Sequence, residues 1–151
     1  MLAVSCAQEA SAQEVRDFPT DDPTLKPRQY RISEYLRSCG KDDLSSVERS
    51  ICLADTAKKL KFTLRSELQR QAADAAEIEA QEPVGGKTGL ERAQIIKRNN
   101  ARTQKAWEAY FKATCDAIAE EWEIGGGNGG AITTGRCMVR LLVQRINEIR
   151  G

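Results

Sequence analysis

Apolar positions along the chain fall into two long helical stripes and one shorter one. From Val47, the residues Ile51, Ala54, Ala57, Leu60, Leu64, Leu68, Ala72, Ala75 and Ile78 recur at steps of three and four. One face therefore stays apolar for roughly thirty residues, until Glu82-Pro83 ends the pattern. Its start is marked by Ser45-x-x-Glu48, a capping box in which each side chain satisfies a backbone donor left open by the first helical turn. The second stripe runs from about Leu90 to Trp122, with Ala93, Ile96, Trp107, Tyr110, Phe111, Thr114, Ile118 and Trp122 inward and Lys97, Arg98, Arg102 and Lys105 mostly outward. Its centre is the unbroken stretch TQKAWEAYFKATC, Thr103 to Cys115. Trp107 and Tyr110 are expected to form the packing centre there, together with Leu60 and Leu64 of the first helix.

The turn PVGGKTG between the two stripes is short, so the second helix must return antiparallel to the first, which brings Cys115 level with Cys52. After the glycine-rich segment 125–135, a third helix from Thr133 or Thr134 carries Cys137, Met138, Leu141, Leu142, Arg145, Ile146 and Ile149. It is expected to cover the end of the hairpin where the cysteines gather. Ahead of the hairpin, Ile32, Tyr35 and Leu36 make an apolar cluster of one helical turn before Cys39-Gly40. Strand signals are nearly absent. The pattern predicts an all-α fold: a long antiparallel helical hairpin plus a shorter C-terminal helix, braced by two disulfides.

Composition supports helix over sheet, with 30% charged residues and 5% aromatics. At 151 residues the chain is read as one folded domain, residues 31–151, preceded by two other segments. Residues 13–30 hold Pro19, Pro23 and Pro27 among Asp17, Asp21 and Asp22, an acidic linker. Residues 1–12 read as the remnant of an export signal. Ala10-Ser11-Ala12 fits small-x-small cleavage before Gln13, whereas Ala3-Val4-Ser5-Cys6 is a poor lipoprotein box, so a lipid anchor at Cys6 is not expected. No stretch is suited to span a membrane. The net charge of +1 supplies no global field for nucleic acid, and none is expected as a partner.

Five cysteines and no histidine constrain the chemistry further. Ser-His and Cys-His pairs are excluded, and zinc could be held only by thiolates or carboxylates. Twelve residues separate Cys39 from Cys52 and twenty-one separate Cys115 from Cys137, with no Cys-x-x-Cys pair. That spacing favours an oxidised framework in an exported protein over a metal or redox site, and no cofactor or metal is expected. Four cysteines allow three connectivities. Pairing Cys39 with Cys52 and Cys115 with Cys137 is preferred because it ties each flanking segment to its nearest helix, and the crossed pairings stay open. Each bridge contributes about 3 kcal/mol in the chain-entropy model.

The glycine motifs do not signal nucleotide binding. Gly86-Lys87-Thr88 has Gln81 where a phosphate loop needs glycine and follows a helix rather than a strand, and 125–135 lacks a preceding strand. Both are read as connectors, with glycines that permit positive φ. The carboxylates Asp42, Asp43, Glu120, Glu121 and Glu123 lie near predicted helix ends, where caps and solvated charge are the common roles, and no catalytic residue is assigned.

The order Cys39, SSVERSIC to Cys52, ADTAKKL with Leu60, TQKAWEAYFKATC with Trp107 and Cys115, a glycine-rich loop, then CMVRLLVQRINEIR from Cys137, resembles the LprI-type lysozyme-inhibitor family of exported bacterial proteins. The likeness covers roughly residues 39–151, and Gln104-x-x-Trp107 with Arg145 is its most specific part. The chain departs from it at Lys61, where Asn is frequent, and at Leu64, where Tyr is frequent. The resemblance implies a helical, disulfide-braced periplasmic or envelope protein that binds a lysozyme-like muramidase, and the missing histidine and lack of a catalytic constellation give no expectation of an enzyme. Such a cleft holds paired carboxylates, so Arg98, Arg102 and Arg136 are the candidates for plugging it. Two alternatives are an immunity protein against a delivered cell-wall-degrading toxin and a structural or stress module of the envelope without an enzyme target.

Overall fold

The computed structural model describes residues 29–125 and 129–151. The expected signal remnant, most of the linker and Cys6 lie outside the described residues. Among these residues four α-helices follow in order: α1 (Ile32–Cys39), α2 (Ser46–Glu77), α3 (Gly89–Gly125) and α4 (Gly130–Arg150), with a 3-10 turn Ile78–Ala80 closing α2. The all-α hairpin with a shorter C-terminal helix and two disulfides is what the chain adopts. Its first segment is longer than the single turn expected: α1 makes two turns and buries Ser33, Leu36 and Cys39.

Local chemistry sets the starts of the long helices. At α2 the Ser45 amide donates to Glu48 Oε2 at 2.8 Å and the Glu48 amide donates back to Ser45 Oγ at 3.3 Å, the expected capping box. A second box opens α3, where the Thr88 amide donates to Glu91 Oε2 at 2.8 Å and the Glu91 amide to Thr88 Oγ1 at 3.2 Å. Between α2 and α3, Gly85 and Gly86 adopt φ of 58° and 74°, left-handed values that the turn requires and that side chains with a Cβ disfavour.

Packing departs from the expected scheme in one large respect. The helix α4 does not cover the end of a closed hairpin; it is inserted along it and is the most buried element. Leu142, Val143, Val139 and Ile146 join Leu53, Ala57, Leu60 and Leu64 of α2 and Leu36 of α1 in one core cluster. From the same helix, Cys137 and Leu141 pack with Cys115 of α3 in a second cluster. Two apolar faces on one helix exclude a capping role, because both must be covered. The helix lies parallel to α2, with Gly135 against Leu53 at one end and Arg150 bonded to Glu67 at the other. It is antiparallel to α3, joined through Cys137–Cys115 and Arg145–Gln104.

At 32 and 37 residues, α2 and α3 are about 48 and 56 Å long, against about 32 Å for the 21 residues of α4. The three helices thus form a bundle at the disulfide end, and α2 and α3 continue beyond it as a two-helix arm. Within the arm, buried Ala75, Gly89 and Ala93 let the backbones approach. The ion pair between Lys97 and Glu79 and the bond from Arg92 to the Glu82 carbonyl fasten its tip.

Insertion of α4 also shifts the inward face of α2. Leu53, which falls outside the three-and-four stripe read from the sequence, is fully buried, whereas Val47 and Ile51 are 66% and 56% exposed. Tyr110, expected in the packing centre, is 55% exposed, because α4 approaches α3 on the side of Gln104, Phe111 and Cys115 and leaves Tyr110 outside that arc. Trp107 does belong to the core, half-buried between the two clusters, with Phe111 at 5.1 Å. Leu60 and Leu64 are buried as expected.

The glycines near the α3–α4 junction serve close approach rather than positive φ. A Cβ on Gly135 would meet Leu53 Cβ at 2.8 Å, and one on Gly130 would meet Trp122 Cβ at 2.8 Å. Gly135→Ala is expected to lower stability by about 1–3 kcal/mol through overpacking, read as a fall in the urea midpoint at constant m. Gly125→Ala, with open space around the added methyl group, should leave the midpoint unchanged or raise it.

Candidate functional site

The four cysteines of the domain form two neighbouring bridges, Cys39–Cys52 with Cα atoms 5.5 Å apart and Cys115–Cys137 at 5.8 Å. The first locks α1 onto α2, and the second locks α4 onto α3. The Leu53–Gly135 contact lies one residue from Cys52 and two from Cys137, so both bridges sit at the same end of the bundle. Among the described residues, no group of three Cys, Asp or Glu is placed to hold a metal ion.

Gln104, Trp107 and Arg145, the residues that carry the family resemblance, meet where α3 crosses α4. Arg145 is buried; its Nε donates to Gln104 Oε1 at 3.1 Å and its Nη1 donates to Glu148 Oε2 at 3.0 Å. A guanidinium in this position needs its donors satisfied, and Gln104 does so from the neighbouring helix without introducing a second buried charge. On the other side of the aromatic pair, Lys61 Nζ lies 5.7 Å from the centre of the Phe111 ring. The arrangement fixes how α3 sits on α4. Its role is positional.

A second polar cluster pins the segment before α1 to the end of α4. The Tyr30 amide donates to Asn147 Oδ1 at 2.7 Å, and Asn147 Nδ2 donates to the Tyr30 carbonyl at 2.8 Å, so one side chain satisfies both backbone groups. Arg150 lies over the Tyr30 ring, 4.2 Å from its centre, and binds Glu67, which also accepts from Arg70 at 3.0 Å. Burial pushes the Glu67 carboxyl up, but hydrogen bonds and charge from Arg150 and Arg70 outweigh it and hold the group below the usual range. Burial lowers Arg150, and Glu67 and Tyr30 more than offset that, leaving it raised. Tyr35, packed 5.4 Å from Tyr30, is pushed up to about 12, first by burial and then by Tyr30.

Charge on α3 is segregated along the helix. Arg98, Arg102, Lys105 and Lys112 follow at i, i+4, i+7 and i+14, a single exposed stripe, and none of them makes an ion pair among the described residues. Beyond Lys112 the helix carries only acids: Asp116, Glu120, Glu121 and Glu123. On α2, Lys58, Lys59, Lys61 and Arg65 lie at the level of the cationic stripe, as the Lys61–Phe111 contact shows. The third expected partner-binding residue is placed elsewhere. Arg136 is half-buried beside Cys137, and Arg98 lies 17 residues along α3 from Cys115, about 25 Å. Arg98 and Arg102 share a face that Arg136 does not join.

No family model, curated protein or solved structure matches the chain. No helix among the described residues is long and apolar enough to cross a membrane.

Two features of the site were missed by periodicity. The Thr88-x-x-Glu91 box has a sequence signal of the same form as Ser45-x-x-Glu48. The Glu67–Arg150–Tyr30 cluster has none, since its members are 37 to 120 residues apart.

The cluster has a pH signature. A carboxyl whose folded pKa lies below its unfolded value stabilises the fold above the unfolded value, and that contribution disappears as pH falls through the folded one. Acid titration of the wild type should therefore lose stability below the ordinary glutamate range. Glu67→Gln should cost about 1–2 kcal/mol at neutral pH and flatten that acid limb, measured by urea melts across pH.

Proposed function

We propose that this is an exported envelope protein, periplasmic or secreted, that binds and inhibits a lysozyme-like peptidoglycan-cleaving enzyme. The observation that carries the reading is the pair Arg98 and Arg102. One turn apart on an exposed helix face, they have no carboxylate partner of their own among the described residues, on a helix held to the bundle by the Cys115–Cys137 bridge. A muramidase cleaves between two carboxyl groups in a cleft. A guanidinium delivered there from a rigid support forms charge-assisted, bidentate bonds and loses little freedom on binding. The same helix carries Lys105 and Lys112 on the same stripe, which extends the complementary field along a cleft and speeds encounter. Two disulfides in a chain of this size accord with an oxidising compartment. Arg136, at the other end of the bundle, does not enter the same cleft in this reading.

Purified, oxidised protein is expected to inhibit at least one of several lysozymes at micromolar concentration. Combined Arg98→Glu and Arg102→Glu substitutions should weaken inhibition by about tenfold or more, with the helical circular dichroism unchanged. Undiminished muramidase activity across the set at micromolar protein would sink the reading.

A further inference from the structure

We propose that the disulfide end of the bundle carries a second docking site, an apolar groove beside the acidic last turns of α3 that takes a basic amphipathic polypeptide segment. It stands on residues other than the cationic stripe and does not depend on the muramidase reading. The groove, about 700 Å³, lies where the first turns of α2 and α4 meet the last turns of α3, with Ile51, Ala54, Ala119, Trp122 and Met138 as its apolar lining. It exists because α4 docks on Leu53 and so leaves the Val47, Ile51, Ala54 stripe without a partner helix. Val47 and Ile51 are mostly exposed, and Trp122 is 38% exposed. A cluster of large apolar side chains of this kind, centred on a tryptophan, is characteristic of a binding surface. Thr134 also lines the groove, and its Oγ1, shielded from solvent, has no hydrogen-bond partner among the described residues.

Charge decides the occupant. Glu123 lines the groove, and Asp116, Glu120 and Glu121 fall in the same last three turns of α3 without an intervening cation; none of the four makes an ion pair among the described residues. Glu123 stands in the last turn of α3, at the negative end of the helix dipole, where an anion is disfavoured. A partner with lysines or arginines beside its apolar anchors relieves that repulsion while it covers the groove. A second copy packed isologously would bring the same acids against one another. The acids also oppose adsorption to an anionic bilayer.

The test uses the full oxidised chain and three synthetic helical peptides of one leucine pattern, whose polar positions are all lysine, all glutamine or all glutamate. Calorimetry and tryptophan fluorescence, with Trp122→Phe identifying the reporting residue, are expected to show saturable one-to-one binding of the lysine peptide alone. Affinity should fall about tenfold on combined Glu120→Gln, Glu121→Gln and Glu123→Gln substitutions, fall again with added salt, and be lost in Ile51→Asp. Equal binding of the glutamate or glutamine peptide would overturn the proposal. So would lysine-peptide binding that survives both sets of substitutions, or sedimentation showing self-association that Ile51→Asp abolishes. Binding to anionic phospholipid vesicles with no response to the peptides would overturn it as well.

Discussion

Burial of α4 on two sides is the interaction on which the rest of the structure depends. Val139, Leu142, Val143 and Ile146 face α2 and α1, while Cys137 and Leu141 face α3. Burying each large aliphatic side chain contributes about 1.5–3 kcal/mol, so these few residues hold much of what joins the two long helices. Beyond α4 the two long helices meet through small residues, among them Ala75 and Ala93, which bury little apolar area. The bridges act at the same place. Cys115–Cys137 fixes α4 on α3, and Gly135 brings it into backbone proximity with α2.

That division separates the molecule into regions of different physical character. The bundle is braced by disulfides and by the Arg145–Gln104 contact, and its other end is fastened by Asn147 and by the Glu67–Arg150 pair. The arm is held by alanine packing and by polar contacts at its tip, among them Lys97–Glu79. Along α3, cations without an ion pair among the described residues occupy the exposed stripe Arg98 to Lys112, and acids without one occupy the turns beyond it at the disulfide end. A net charge of +1 conceals this separation, since a sum over the chain carries no information about where the charges lie.

Gln104, Trp107 and Arg145, singled out by their spacing and type, are brought together across the α3–α4 crossing. Gln104 satisfies a buried guanidinium there, and Trp107 packs beside it to set helix placement. The surface that would recognise a partner lies on other residues.

What the sequence by itself determined is local. Capping boxes mark where α2 and α3 begin, glycines mark the turn between them, and the number and spacing of cysteines predict a two-bridge framework, because each of these depends on residues a few positions apart or on simple counts. Arg98 and Arg102 were legible as outward residues for the same reason. Helix phase was not. Whether Leu53 or Ile51 faces the core, and whether Tyr110 is inside or out, depends on which side of α2 and α3 a third helix takes. A stripe of alanines and aliphatics broad enough for either leaves that choice to tertiary packing. Once α4 settled against Leu53 through Gly135, Val47, Ile51 and Trp122 were left at the surface, and the apolar groove at the disulfide end came into being.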